Sequence, residues 1–184
     1  MKLFLDLDGV LIDWCKGAHE IHEITLDQHV WQYKLGPEGW DWHKTVGMTS
    51  KELFEPMDKY FWENLEWTKD GREIFTLCET MFPDNMCFLT NPHNPSESIP
   101  GRLNWLDANC TKFKDRTLFG ACKFVCARPN AVLVDDYDEN IDDWRAHGGI
   151  GVLLPRPWNS NFYILNRQSA VNYLSQKLEG ILHG

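Results

Sequence analysis

Short continuous apolar runs alternate with longer stretches of helical periodicity along most of this chain. Lys2-Leu3-Phe4-Leu5-Asp6 has consecutive apolar residues where a half-exposed strand would alternate, the pattern of a strand buried on both faces of a parallel sheet. Met86–Leu89, Thr117–Phe119, Ala131–Val134 and Ile150–Leu154 are the other strand segments. Helices are predicted over Asp70–Phe82, Ser98–Ala108, Glu139–Ala146 and Gln168–Leu182, the last with Val171, Leu174, Leu178 and Leu182 at helical spacing. Pro83 and the cluster Asn91-Pro92-His93-Asn94-Pro95 supply breaks between them. Strands that alternate with helices predict an α/β protein with a mostly parallel sheet, right-handed crossovers and helices on both faces. Ligands of such sheets bind at the carboxyl ends of the strands.

One stretch departs from this pattern. From Trp14 to Thr68 the helical periodicity is weak, a turn falls at Gly36-Pro37-Glu38-Gly39, and six of the nine tryptophans and four of the seven histidines cluster. The expectation is a small helical module inserted after the first strand, with residues 1–13 and 69–184 forming the core and 14–68 the module.

Composition narrows the class. With 43% hydrophobic and 24% charged residues and a mean hydropathy of -0.42, the chain resembles neither a disordered segment nor a coiled coil. No stretch approaches the roughly 20 apolar residues of a membrane span, and the N-terminal apolar run is broken by Asp6, unlike a secretory leader. A soluble cytoplasmic protein without a membrane partner is expected. Eighteen Lys and Arg against 27 Asp and Glu give a net charge of -9, which repels nucleic acid and leaves room for a small anionic substrate only with local compensation. The six cysteines lack metal-finger spacing and read as reduced, mostly buried thiols.

The candidate chemistry lies at the strand ends. Asp6 and Asp8 follow the first strand at i, i+2, which places both carboxylates on one face if the backbone stays extended, and Gly9 then permits a sharp turn. Adjacent acids raise each other's pKa unless a cation lies between them, so a hard divalent ion such as Mg2+ is the economical explanation. Asp135 and Asp136 end the strand Ala131–Val134 in the same way. Elsewhere, Cys15, His19 and His22 share a helix face with no evident fourth zinc ligand, so a packed face is the plainer reading. Cys122 and Cys126 also read as packing, and Asp138, Glu139, Asp142 and Asp143 as the acidic start of a helix, with Asp138 in reach of backing up a metal.

These residues carry a family resemblance. Asp6-Leu7-Asp8-Gly9-Val10-Leu11 resembles motif I of the haloacid dehalogenase superfamily, mostly phosphatases. Phe88-Leu89-Thr90-Asn91 resembles motif II, Lys123 matches the motif III lysine, and Val134-Asp135-Asp136 resembles motif IV. The resemblance implies a Rossmann-like core with a helical cap that selects the substrate. It implies Asp6 as the nucleophile, Asp8 as the acid and base, and Mg2+ held by Asp6, the Asp8 carbonyl and Asp136. Thr90 or the Asn91 amide, together with Lys123, would stabilise the transition state, and Asp135 would orient Lys123 or a metal-bound water.

Finer details resemble the 5'(3')-deoxyribonucleotidase family: Asp13-Trp14 after motif I, Tyr60-Phe61-Trp62-Glu63-Asn64-Leu65-Glu66, Thr90-Asn91-Pro92, and Gly101-Arg102-Leu103-Asn104-Trp105-Leu106. That resemblance implies a nucleoside monophosphate as substrate, with Trp14 against the base; Trp40, Trp42 and Phe54 are further candidates by their position in the module, and a homodimer stays open. Asn91 stands where the family has serine, and Ala121 where it has a phosphate-binding arginine, for which Arg102 and Arg128 are the candidate replacements. A sugar phosphate or other small phosphate ester, and a catalytically silent binding module, are the competing readings. The four motif residues Asp6, Asp8, Lys123 and Asp136 standing together argue against the silent module.

Overall fold

In the computed structural model, which describes residues 1–25, 39 and 41–184, five strands form one parallel sheet. They are β1 (Lys2–Leu5), β2 (Met86–Thr90), β3 (Thr117–Phe119), β4 (Ala131–Asp135) and β5 (Ile150–Leu153), in the order β3-β2-β1-β4-β5. Each strand segment read from the apolar runs is present. β1 is central, with Leu5 beside Phe88 of β2 on one side and Val134 of β4 on the other. The chain leaves β1 toward β2 and β3, then returns past it to β4, which makes the gap between β1 and β4 the switch point where such sheets bind ligands.

Because β1 alternates inside a sheet covered on both sides, its residues supply two cores. Leu3 and Leu5 join Phe88, Val132 and Val134 beneath α5 (Gly71–Met81), α6 (Pro95–Asn109) and α8 (Ala170–His183), with Ile74, Trp105, Leu106, Leu174 and Leu178 packed there. Phe4 points the other way and joins Leu133, Ile141 and Trp144 beneath α7 (Asp138–Ala146). Helices therefore cover both faces, as expected. α6 begins before Ser98: Pro95 occupies its first turn, where a missing N–H costs nothing, so the proline read as a break is a start. The helix also continues through Pro100.

Between β1 and α5 the described residues form four short helices: α1 (Trp14–Ile21), α2 (Trp42–Thr45), α3 (Ser50–Phe54) and α4 (Lys59–Glu63). Local capping explains their starts. Asp13 accepts from the Lys16 N–H, Thr49 and Glu52 form a reciprocal capping box, and Asp58 accepts from the Phe61 N–H. Trp14, Trp42, Leu53, Met57 and Trp62 from this stretch are buried in the same apolar cluster as Leu3 and Leu5. α4 lies against α6 so closely that a Cβ on Gly101 would come within 2.6 Å of the Lys59 carbonyl. The expected Gly36-Pro37-Glu38-Gly39 turn falls largely outside the described residues.

Candidate active site

β1 and β4 end side by side, and the first residues beyond their paired segments carry the carboxylates. Asp6, Asp135 and Asp136 are all buried and each offers an oxygen within 4.8 Å of the others, the metal-capable acidic cluster among the described residues. Lys123, from the 3-10 turn Lys123–Cys126, reaches between them: its Nζ is 2.8 Å from Asp6 Oδ1 and 2.7 Å from Asp135 Oδ2. Asp135 is otherwise saturated, accepting from the Tyr137 backbone N–H and from the Asn140 amide at 3.0–3.2 Å.

The electrostatics follow from burial. Desolvation pushes the Asp6 carboxyl up to about 7; Lys123 pulls against this, while Asp135 and Asp8 add to it. Burial, then Asp135 and Asp6, holds Asp136 well above the usual carboxylate range. For Lys123 burial alone would lower the ammonium, yet Asp135 and Asp6 raise it above the ordinary lysine value. Three carboxylates share one ammonium, so with all of them ionised the cluster would carry an excess of two negative charges, which burial and mutual repulsion oppose by raising Asp6 and Asp136. A hard divalent cation with oxygen ligands matches both that charge and that donor set.

Asp8 is placed differently from the expectation. Its carboxylate is turned to the guanidinium of Arg102, fully buried on α6, instead of joining the three-carboxylate cluster. The turn after it explains the separation: Asp8 already bridges to Ile12, and Gly9 adopts φ 72°, where glycine alone is relaxed. The Arg102 guanidinium also lies 4.0 Å from the Trp62 ring centroid, a cation–π contact. Arg102 thus reaches the site through Asp8. Arg128 is exposed and absent from the pocket lining.

The cluster opens into a cavity of about 250 Å³. Trp14, Phe54 and Asn91 line it together with Asp6, Asp8, Lys123 and Asp136, so the structure brings these expected residues together. The Phe54 ring stacks on His93 at 4.7 Å and lies 5.9 Å from Trp14. Thr90 ends β2 fully buried, and its Oγ1 has no hydrogen-bond partner among the described residues. Trp40 lies outside the described residues.

Several lining residues escaped the sequence reading: His43, Ser50, Leu53, His93, Tyr137 and Asn140. Nothing in their spacing distinguishes them from other polar or apolar positions. Also unforeseen was the loop after β5. Trp158 donates from Nε1 to Asp136 Oδ2 at 2.6 Å, Asn159 donates to the Asp136 carbonyl at 2.8 Å, and Arg156 donates to the carbonyls of Gly9 and Val10 and, bidentately, to Asp70. Its signal was position alone, since every loop at a carboxyl end of a parallel sheet borders the site.

Most of the remaining candidates resolve as packing; Cys122, expected to pack, is exposed instead. His19 donates to the Cys15 carbonyl and stacks on Trp42 at 3.8 Å, while His22 turns to the Leu53 carbonyl, so no zinc ligand set forms. Cys126 packs on the second core, and four of the six thiols are buried. Asp138 starts α7, takes the Ser160 N–H and hydroxyl, and is not among the grouped carboxylates Asp6, Asp135 and Asp136.

No family model matches the chain, and no curated protein sequence does. Solved structures match in shape. One, reported as a dehalogenase, superposes with a TM-score of 0.52 at 12% identity over 94% of this chain and 94% of that one. A hydrolase from Pseudomonas syringae superposes with a TM-score of 0.51 at 16% identity over 97% of this chain and 98% of that one. At such identities the likeness establishes the fold alone, an α/β fold built on a parallel sheet that the chain shares with both. Among the described residues no helix is long and apolar enough to cross a membrane.

Proposed function

We propose that the chain is a Mg2+-dependent phosphomonoesterase that hydrolyses deoxyribonucleoside 5'(3')-monophosphates, with residues 14–68 acting as the lid over a core of 1–13 and 69–184. The observation that carries this reading is the buried Asp6, Asp135 and Asp136 cluster, bridged by Lys123, at the floor of a cavity with an aromatic wall. Asp6, Asp136 and the Asp8 carbonyl would hold the ion, which supplies charge neutralisation for the phosphate. Asp135, with both oxygens already occupied, acts through Lys123.

Asp6 attacks phosphorus and forms an aspartyl phosphate as the bond to the substrate oxygen breaks. In this reading the departing oxygen takes its proton from the Asp8 carboxyl group, whose side chain lies against Arg102 in the structure. Water then attacks the aspartyl phosphate, its proton returns to the Asp8 carboxylate, and phosphate leaves with Asp6 restored. Lys123 and the Asn91 amide, both in the cavity lining, would meet the charge that develops on the phosphoryl oxygens, while the unpartnered Thr90 hydroxyl is buried behind the lining. Trp14 and Phe54 offer flat apolar surface to a nucleobase.

Phosphate release from deoxynucleoside and ribonucleoside monophosphates and sugar phosphates, in Mg2+ or EDTA, tests the reading. Metal-dependent release that favours deoxynucleotides and disappears in Asp6→Asn is expected. Faster turnover of sugar phosphates would keep the chemistry and overturn the nucleotide specificity, and no release from any ester would leave the silent binding module.

A further inference from the structure

The loop after β5, Pro155-Arg156-Pro157-Trp158-Asn159, bonds both to Asp136 and to the turn Gly9–Val10 that follows Asp8. From the geometry we infer that Trp158 is a positioning residue for the metal centre: its indole N–H fixes one oxygen of Asp136 so that the other is presented to the ion. The inference rests on the proposed Mg2+ site.

Three observations converge on it. Trp158 is buried, and its Nε1 lies 2.6 Å from Asp136 Oδ2, a charge-assisted hydrogen bond to the one carboxylate of the cluster that Lys123 does not touch. The carboxylate is held from its backbone side as well, because Asn159 Nδ2 donates to the Asp136 carbonyl at 2.8 Å and to the Leu154 carbonyl at 2.7 Å. The indole also closes over Gly9: a Cβ there would run into the Asp136 carboxylate and lie 3.1 Å from the Trp158 ring. Asp136, Gly9 and Trp158 therefore fit together with no room for a side chain between the motif I turn and the carboxylate.

Arg156 completes the strap. It donates from Nε to the Gly9 carbonyl at 2.6 Å and from Nη2 to the Val10 carbonyl at 3.0 Å, while Asp70 takes both terminal nitrogens at 2.9 Å. This fixes the turn that follows Asp8 relative to the loop that carries Trp158. A ligating carboxylate whose second oxygen is held by a donor loses rotational freedom before the ion arrives, and such outer contacts commonly affect metal affinity by about 10–100-fold.

The test is the Mg2+ midpoint of thermal stabilisation of the full chain, for wild type, Trp158→Phe and Trp158→His. Phenylalanine keeps a ring and removes the N–H; histidine restores a ring N–H. The expected result is a midpoint raised about 10-fold or more in Trp158→Phe, partly recovered in Trp158→His, with the melting temperature in EDTA close to wild type. An unchanged midpoint, whether or not the melting temperature in EDTA falls, would overturn the inference and leave Trp158 a packing residue. If Trp158→Phe does not fold, Trp158→Met, which also removes the N–H, takes its place under the same criterion. Absence of any Mg2+ shift in wild type would instead overturn the proposed metal centre itself, which separates the two failures.

Discussion

The two walls of the cavity are held by different physics. The floor, at the ends of β1 and β4, is an ionic and hydrogen-bonded network in which Lys123, Asp6, Asp135, Asp136, Asn140 and Trp158 each have a defined partner. The wall contributed by residues between β1 and α5 consists mainly of ring contacts, Trp14 with Phe54 and Phe54 with His93, on short capped helices. Directional bonds specify one arrangement and penalise every other, whereas stacked rings tolerate sliding. On the proposed function the chemistry falls to the rigid region and recognition to the adaptable one, a division that lets the wall change without disturbing the floor.

The comparison is broken most severely at the nucleophile. Asp6→Asn is expected to reduce phosphate release by more than about a thousandfold while the protein remains folded, read as single-turnover phosphate release beside a circular dichroism melt. Next is Lys123→Met, which leaves Asp6 and Asp135 buried without their cation. A loss of about 3–5 kcal/mol in urea unfolding without metal is expected, since removing one partner strands the other buried charges. A loss below about 1 kcal/mol, the value of an exposed pair, would show that the floor is not the rigid element described.

At the wall, Phe54→Ala should act on recognition alone. The expected effect is about 1–3 kcal/mol in kcat/KM for a deoxynucleoside monophosphate, carried mostly by KM, with turnover of glycerol phosphate unchanged. Equal losses on both substrates would place Phe54 in the floor's machinery and erase the distinction.

The smallest effect concerns pH. Burial raises Asp6 to about 7 from an unfolded value of 3.8, so between those values the folded state retains a proton that the unfolded chain has lost. The metal-free protein loses this contribution to stability as pH rises toward 7, and an incoming cation must displace the same proton. The increment in melting temperature between Mg2+ and EDTA should therefore grow from pH 6 to pH 8. An increment that shrinks over this range would contradict the assignment of Asp6 to the metal.

The strands and the acids that end them were legible because continuous apolar runs and strand-terminal carboxylate pairs are local patterns. Asp6, Asp8, Lys123, Asp135 and Asp136 all fall at one end of the sheet, as their positions after strand segments implied. What local pattern cannot convey is which distant side chain completes a charge. Arg102 meets Asp8 only because α6 crosses above β1, and Trp158 meets Asp136 only because β5 lies beside β4. The early start of α6 was hidden for a different reason, since proline is a breaker inside a helix and a natural first residue.

The central place of β1 bears on how the protein is made. Leu3 must wait for Met86 on one side and Val132 on the other, so the strand that carries Asp6 leaves the ribosome long before either neighbour exists. Pairings so distant in sequence close slowly, and until then an unpartnered apolar strand and its acids remain exposed. A nascent chain interrupted between Asp136 and Trp158 would hold every motif residue from Asp6 to Asp136 without the strap that spans them. The acidic floor is therefore complete only once Trp158 has been made, long after Asp6.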